Sequence, residues 1–148
     1  MTLSVHVAAQ GRRLPLSRGR VADVAEHVLR AERARDATLS ITFLSRRAMA
    51  AMNARHLGHR GATDVISFGF APSNDRSPVV GDIYISPDVA RENARRHGVP
   101  VREELARLVV HGTLHVLGYD HPEGEGRAAS AMWRRQERLL ARALRDGA

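Results

Sequence analysis

The chain has 148 residues, of which 43% are hydrophobic and 26% are charged, as is typical of one soluble globular domain. It contains no cysteine, which excludes disulfides and thiolate zinc sites, so a metal would need His, Asp, Glu or backbone oxygen. The formal net charge of +7 favours a polyanionic partner. The sequence has neither a membrane-length apolar run nor the pattern of a signal peptide, so we expect a cytoplasmic protein with no membrane partner.

Apolar periodicity and turn residues predict nine elements in the order β α β α β β α α α. Strands are predicted at 2–8, 38–44, 63–70 and 79–86. Helices are predicted at 21–34, from Ser45 as N-cap to near Gly58, from Ser86 to Gly98, from Pro100 to Leu117 and at 125–144. This order predicts a single α+β domain over residues 1–148, with a four-stranded mixed sheet, about five helices and the helix at 100–117 in a central position.

The central helix carries the pattern H-x-x-x-H-x-x-G-x-x-H, formed by His111, His115, Gly118 and His121. Side chains four positions apart lie on one face of a helix, so His111 and His115 can bind the same ion. Glycine after the last helical turn can adopt the left-handed conformation, and Gly118 would thereby turn the chain and bring His121 to the same point. Three imidazoles with an open fourth position are typical of catalytic zinc.

The same histidine spacing occurs in the metzincin proteases, where a Glu beside the first histidine is the general base. This chain has Gly112 at that position, and glycine cannot transfer a proton. The pattern therefore favours hydrolysis of another kind of bond, although a metalloprotease remains a less favoured alternative.

Three segments together resemble the YbeY family, bacterial rRNA maturation factors regarded as single-strand-specific, metal-dependent endoribonucleases. The box HGTLHVLGYDH at 111–121 is preceded by REELARLVVHG and resembles the family's histidine box. The segments TDVISF at 63–68 and GDIYIS at 81–86 are similar to two of the family's strands, in the same order. The order of the predicted elements also fits the family from Leu3 to Leu144.

The resemblance implies one Zn²⁺ per chain bound by His111, His115 and His121, and action on the 3′ end of 16S rRNA. It implies the small ribosomal subunit as a partner, a role in ribosome assembly and quality control, and no DNA substrate. The alternative is a ribosome-assembly factor that binds RNA without cleaving it and uses zinc as a structural ion.

One departure from the family concerns the active-site arginine. Most members have N-x-x-Y-R before the T-D pair, whereas this chain matches the asparagine with Asn53 and has Leu57 at the arginine position. The candidates for its electrostatic role at the scissile phosphate are Arg55, His59 and Arg60. Asp64 and Asp82 are candidate hydrogen-bond acceptors for the ring N–H groups of metal-binding histidines, although capping of turns or strand ends is the favoured role for both.

Overall fold

The sheet and its helices are described by a computed structural model of the chain over residues 2–9, 13–58, 61, 63–70, 78–119 and 131–147. The strands are β1 (Leu3–Ala8), β2 (Ala37–Phe43), β3 (Val65–Phe70) and β4 (Val79–Ile85). The α-helices are α1 (Arg18–Ala31), α2 (Arg46–Met52), α3 (Pro87–His97), α4 (Val101–Val116) and α5 (Ala131–Gly147), and a π-helical turn (Asn53–Leu57) follows α2.

The four strands form one mixed sheet in the order β1-β2-β4-β3. β1 and β4 both run parallel to β2, while β3 is an edge strand that pairs antiparallel with β4. The predicted α+β class and four-stranded mixed sheet are confirmed. The sequence left the strand order open, because residue periodicity does not specify which strands are neighbours.

Alternating side chains give the two faces of the sheet different coverings. Leu39, Ile41 and Phe43 of β2 and Ile83 and Ile85 of β4 are fully buried on one face. This face is covered by α1 and α4, which contribute to the same apolar cluster. A smaller apolar cluster on the other face joins α2 to β3 and β4.

Capping side chains set the helix boundaries. The predicted N-caps Ser45 and Ser86 are confirmed, since each hydroxyl accepts a hydrogen bond from a backbone N–H three residues later. The predicted start of the first helix at 21 was wrong, because Ser17 accepts from the backbone N–H of Arg20 at 3.1 Å and so starts α1 at Arg18. Its predicted end at 34 was also wrong, because Arg33 adopts a left-handed φ of 61°.

The central position predicted for the histidine-bearing helix is also confirmed, because α4 packs against α1, α3, α5, β3 and β4. Three glycines allow it to lie close to the sheet, one of them Gly69 on β3, where a Cβ would lie 2.9 Å from the backbone oxygen of Val116. A Cβ at Gly112 would lie 2.8 Å from Cγ2 of Ile83, and a Cβ at Gly81 would overlap the side chain of Val116. The register of α4 on β4 is therefore set by two positions that must lack a side chain.

Within the described part of the chain, no helix is both long enough and apolar enough to cross a membrane.

Candidate metal centre

The last two turns of α4 place His111 and His115 on one face, as their spacing predicted. The ring centroids lie 4.6 Å apart with an interplanar angle of 76°. His111 is buried at 7% exposure, and His115 is partly buried. The helix then ends as predicted, because Gly118 adopts a φ of 101° and donates its backbone N–H to the carbonyl of His115 at 3.0 Å. His121 lies outside the described residues.

A hydrogen bond fixes the orientation of the first histidine. Nδ1 of His111 lies 2.7 Å from Oε1 of Gln136 on α5. Since a carbonyl oxygen can only accept, Nδ1 carries the proton and the lone pair of the neutral ring is on Nε2. A ring that donates one N–H to a protein acceptor and offers its other nitrogen is the usual state of a metal-binding histidine.

The donor set therefore fits zinc, with two imidazoles on adjacent helical turns and one of them held as the appropriate tautomer. Among the residues the structure describes, no group of three or more His, Asp or Glu side chains could hold a metal ion. A complete site therefore depends on a ligand from outside those residues, and the sequence offers His121 in that role.

The side-chain position of Gly112 lies against the sheet and not beside the histidine pair. Its Cβ direction points at Ile83, a fully buried residue of β4. A glutamate at this position would point into the apolar core and could not reach the histidine pair. The general base that metzincins have at this position therefore has no place in this fold.

A cavity of about 540 Å³ opens beside His111. It lies between the end of α3, the part of α4 from Glu104 to His111 and the side of α5 that carries Gln136, and the start of β3 also lines it. Its polar lining consists of Asp64, Asn93, Arg96, His97, Glu104, Arg107, His111, Trp133, Gln136 and Glu137. The volume lies within the range of roughly 300–1,000 Å³ of small-molecule sites.

An ion cluster forms one wall of this cavity. The guanidinium of Arg107 donates two hydrogen bonds to Glu137, at 3.0 and 3.2 Å, one to Glu104 at 2.9 Å and one to Glu103 at 3.3 Å. Burial opposes the charge of Arg107, but the hydrogen bonds to Glu137 and Glu104 outweigh burial and raise its pKa. Burial likewise raises the pKa of Glu104 above its ordinary value, and the bond from Arg107 offsets this only in part.

The candidates for the missing arginine belong to the π-helical turn and the segment after it. Arg55 is exposed, and the ring of its neighbour His56 packs edge-on against Phe68 at 5.9 Å. Asn53 is buried and donates to the backbone carbonyl of Gly61 at 2.9 Å, which ties the turn to the connection that leads to β3. His59 and Arg60 lie on that connection but outside the described residues, so the roles of all three candidates stay predictions.

The two aspartates proposed as acceptors for histidine N–H groups have other positions. The carboxylate of Asp64 accepts from Asn93 at 3.0 Å and from the neighbouring threonine hydroxyl at 3.5 Å, although it lines the same cavity as His111. Asp82 alternates with Gly81 and Ile83 along β4 and therefore points to the face of the sheet opposite α4. The acceptor that the structure gives His111 is Gln136 of α5, a contact that no pattern in the sequence indicated.

The chain that leads toward His121 is anchored where it leaves α4. The hydroxyl of Tyr119 donates to Glu32, whose carboxylate also accepts from Arg135 of α5 at 2.8 Å. The hydrogen bond to Glu32, together with burial, raises the pKa of the Tyr119 phenol. These contacts tie the residue after Gly118 to the end of α1 and to α5.

Comparison with known proteins identifies the family. The family model described as endoribonuclease YbeY matches residues 7–144. Among curated relatives of that name, the protein from Geobacter sulfurreducens is 33% identical over 148 residues, covering 98% of both chains. The one from Syntrophus aciditrophicus is 30% identical over 143 residues, covering 95% of this chain and 89% of its own.

A solved structure has the same fold. The solution structure of a Thermotoga maritima protein superposes with a TM-score of 0.64 at 20% identity, over 96% of this chain and 90% of that chain. This similarity bears on the fold alone, and the sequence matches carry the assignment. The chain belongs to the endoribonuclease YbeY family, a family of RNA-cleaving hydrolases.

Proposed function

We propose that this RNA-cleaving hydrolase is a zinc-dependent, single-strand-specific endoribonuclease that matures the 3′ end of 16S rRNA in the cytoplasm and contributes to ribosome quality control. The observation that carries the metal part of the proposal is the His111–His115 pair, with His111 held by Gln136 at the wall of a 540 Å³ cavity. The ligands of the zinc ion would be His111, His115 and His121. The partner of the protein would be the small ribosomal subunit.

A zinc ion at this position would supply a Lewis acid for a phosphoryl oxygen and lower the pKa of a coordinated water toward about 7. The residues of the chain would orient the ligands and bind the substrate. The net charge of +7 attracts the RNA backbone. The recessed position of His111 favours a single strand, since an unpaired strand can be drawn into a cavity that a duplex cannot enter.

The two alternatives are distinguished by chemistry. A metalloprotease would need a general base, and the position that supplies it in metzincins is Gly112 packed on Ile83. A non-catalytic assembly factor with structural zinc would bind RNA and ribosomal subunits without any cleavage that depends on the histidine pair.

The test is cleavage of a labelled single-stranded RNA by purified zinc-loaded protein, with His115→Ala as the ligand variant. His6→Ala is the matched control, because His6 is an exposed histidine on β1 whose ring hydrogen-bonds to the hydroxyl of Ser4. We expect a loss of at least 100-fold in His115→Ala, in line with the several kcal/mol supplied by metal charge stabilisation, and no loss in His6→Ala.

A substrate with a 2′-deoxy nucleotide at the cleaved position excludes a contaminating nuclease of the pancreatic type. A metal-assisted attack by water does not need the 2′-hydroxyl, whereas nucleases of the pancreatic type use that hydroxyl as the nucleophile. Equal cleavage by both histidine variants would refute the metal-dependent mechanism. Binding to the small subunit with no cleavage by any of the proteins would support the assembly factor instead.

A further inference from the structure

Gln136 is a polar residue on the buried face of an otherwise apolar helix. It is 1% exposed and shares that face of α5 with Met132, Leu139 and Leu140. A leucine would fit the apolar pattern at this position, so the amide incurs a desolvation cost that only hydrogen bonds can offset. Both ends of the amide are in fact hydrogen-bonded.

The partners determine which way the amide points. Nε2 of Gln136 lies 3.0 Å from a carboxylate oxygen of Glu137, and an ionised carboxylate only accepts hydrogen bonds. The amide nitrogen must therefore face Glu137, and the amide oxygen must face Nδ1 of His111 at 2.7 Å. The direction of every bond in this chain follows from the charge of Glu137.

Glu137 is held in turn by the helix that bears the histidine. Arg107 binds both carboxylate oxygens of Glu137, and Arg107 lies one turn before His111 on α4. The contacts close a ring that runs from Arg107 to Glu137, to Gln136, to His111 and back along one turn of α4. A closed ring of this kind resists rotation of any one member better than a single hydrogen bond does.

We propose that Gln136 is a positioning residue of the metal centre, which holds His111 in the tautomer that presents Nε2 to the ion. The inference rests on the metal site of the proposed function. An amide fixes the ring as a carboxylate would, but it adds no negative charge to the site. The ion therefore keeps more of its positive charge for an anionic phosphodiester.

The test uses Gln136→Leu, which keeps the approximate volume and removes both hydrogen bonds. Met132→Leu, a buried substitution on the same helix, is the matched control. Two quantities are measured, the zinc dissociation constant by competition with a chelator and the tautomer of His111 in metal-free protein from its ring ¹⁵N chemical shifts. Urea unfolding of the metal-free proteins shows whether either substitution changes the fold.

We expect zinc to bind 10- to 100-fold more weakly to Gln136→Leu than to the control, as is usual for loss of a partner behind a ligand. The Nδ1–H tautomer of His111 should lose population in this variant and in no other. The double variant Gln136→Glu with Glu137→Gln keeps the charge of the pair and an acceptor facing Nδ1 of His111, while the bond between the two side chains reverses and Arg107 keeps one acceptor at position 137. It should restore both the tautomer and zinc binding to within a few-fold of the wild type.

Two outcomes would overturn the inference. Zinc affinity and tautomer in Gln136→Leu equal to those of the control would show that the amide has no role beyond packing. Weak zinc binding in both Gln136→Leu and the swapped double variant, with the tautomer retained in both, would assign the effect to general disturbance of α5. A different result is expected if the proposed metal site itself is wrong. The wild type would then bind zinc no better than His115→Ala, while Gln136→Leu would still change the tautomer of His111.

Discussion

Replacing Gly112 with alanine tests whether close packing, and not chemistry, requires glycine beside the first histidine. The added Cβ would lie 2.8 Å from Cγ2 of Ile83 and 3.4 Å from its Cδ1. Carbon atoms need about 3.5–4.0 Å, so helix and strand must separate by roughly 1 Å. Ile83 is fully buried and branched at Cβ, and its χ1 cannot rotate the methyl group away freely.

Two free-energy terms oppose each other in Gly112→Ala. Overpacking of a core contact costs about 1–3 kcal/mol. Alanine in a helix interior is more favourable than glycine by about 1 kcal/mol. We therefore expect a net destabilisation of about 0–2 kcal/mol. In the Ile83→Ala background the contact is gone, so the same substitution should stabilise the protein by about 1 kcal/mol.

Urea unfolding of the wild type, both single variants and the double variant, followed by far-ultraviolet circular dichroism, gives the coupling free energy. Its expected magnitude is about 1–3 kcal/mol, equal to the overpacking term. A change in sign between the two backgrounds is the decisive observation. If Gly112→Ala destabilised both backgrounds equally, the contact with Ile83 would not be the reason for glycine.

Two further substitutions address the ion contacts around the site. Burial raises the pKa of Glu104, so the folded protein binds this proton more tightly than the unfolded chain does. Its contribution to stability is present below the ordinary pKa of 4.5 and is lost as the pH rises through the raised value. The stability of the wild type minus that of Glu104→Gln, from urea midpoints across this range, should therefore fall with rising pH, and a constant or rising difference would contradict burial as the dominant effect. Tyr119→Phe removes the hydrogen bond to Glu32 and should lower the free energy of unfolding by about 1.5–3 kcal/mol, as expected for a charged acceptor. An unchanged urea midpoint would show that this contact does not anchor the chain after α4.

Features that depend on neighbours in the sequence could be predicted. The spacing of His111 and His115 places them on one helical face whatever the rest of the fold, and Gly118 ends the helix through its own backbone freedom. Ser45 and Ser86 form caps with residues three positions away. Such contacts depend on local geometry, which the sequence pattern reports directly.

Contacts between elements distant in the chain could not be predicted in the same way. Gln136 stands 25 positions after His111, and whether it meets the ring depends on the angle at which α5 crosses α4. Asp82 was a plausible partner by residue type, but its place in β4 relative to Gly81 directs it to the opposite face of the sheet. The strand order, which decides which face meets α4, has no signature in residue periodicity.

The last turns of α4 have three sides, and each side is occupied by a different contact. One side carries the histidine pair, one lies on β4 through Gly112, and one is joined to α5 through Gln136. Beyond these turns, Arg96 of α3 and Arg107 of α4 line the cavity beside His111. The segment that Asn53 ties to Gly61 carries Arg55, His59 and Arg60, which stay the predicted candidates for a cation at the scissile phosphate. The close packing of α4 on β4 thus excludes a glutamate at position 112.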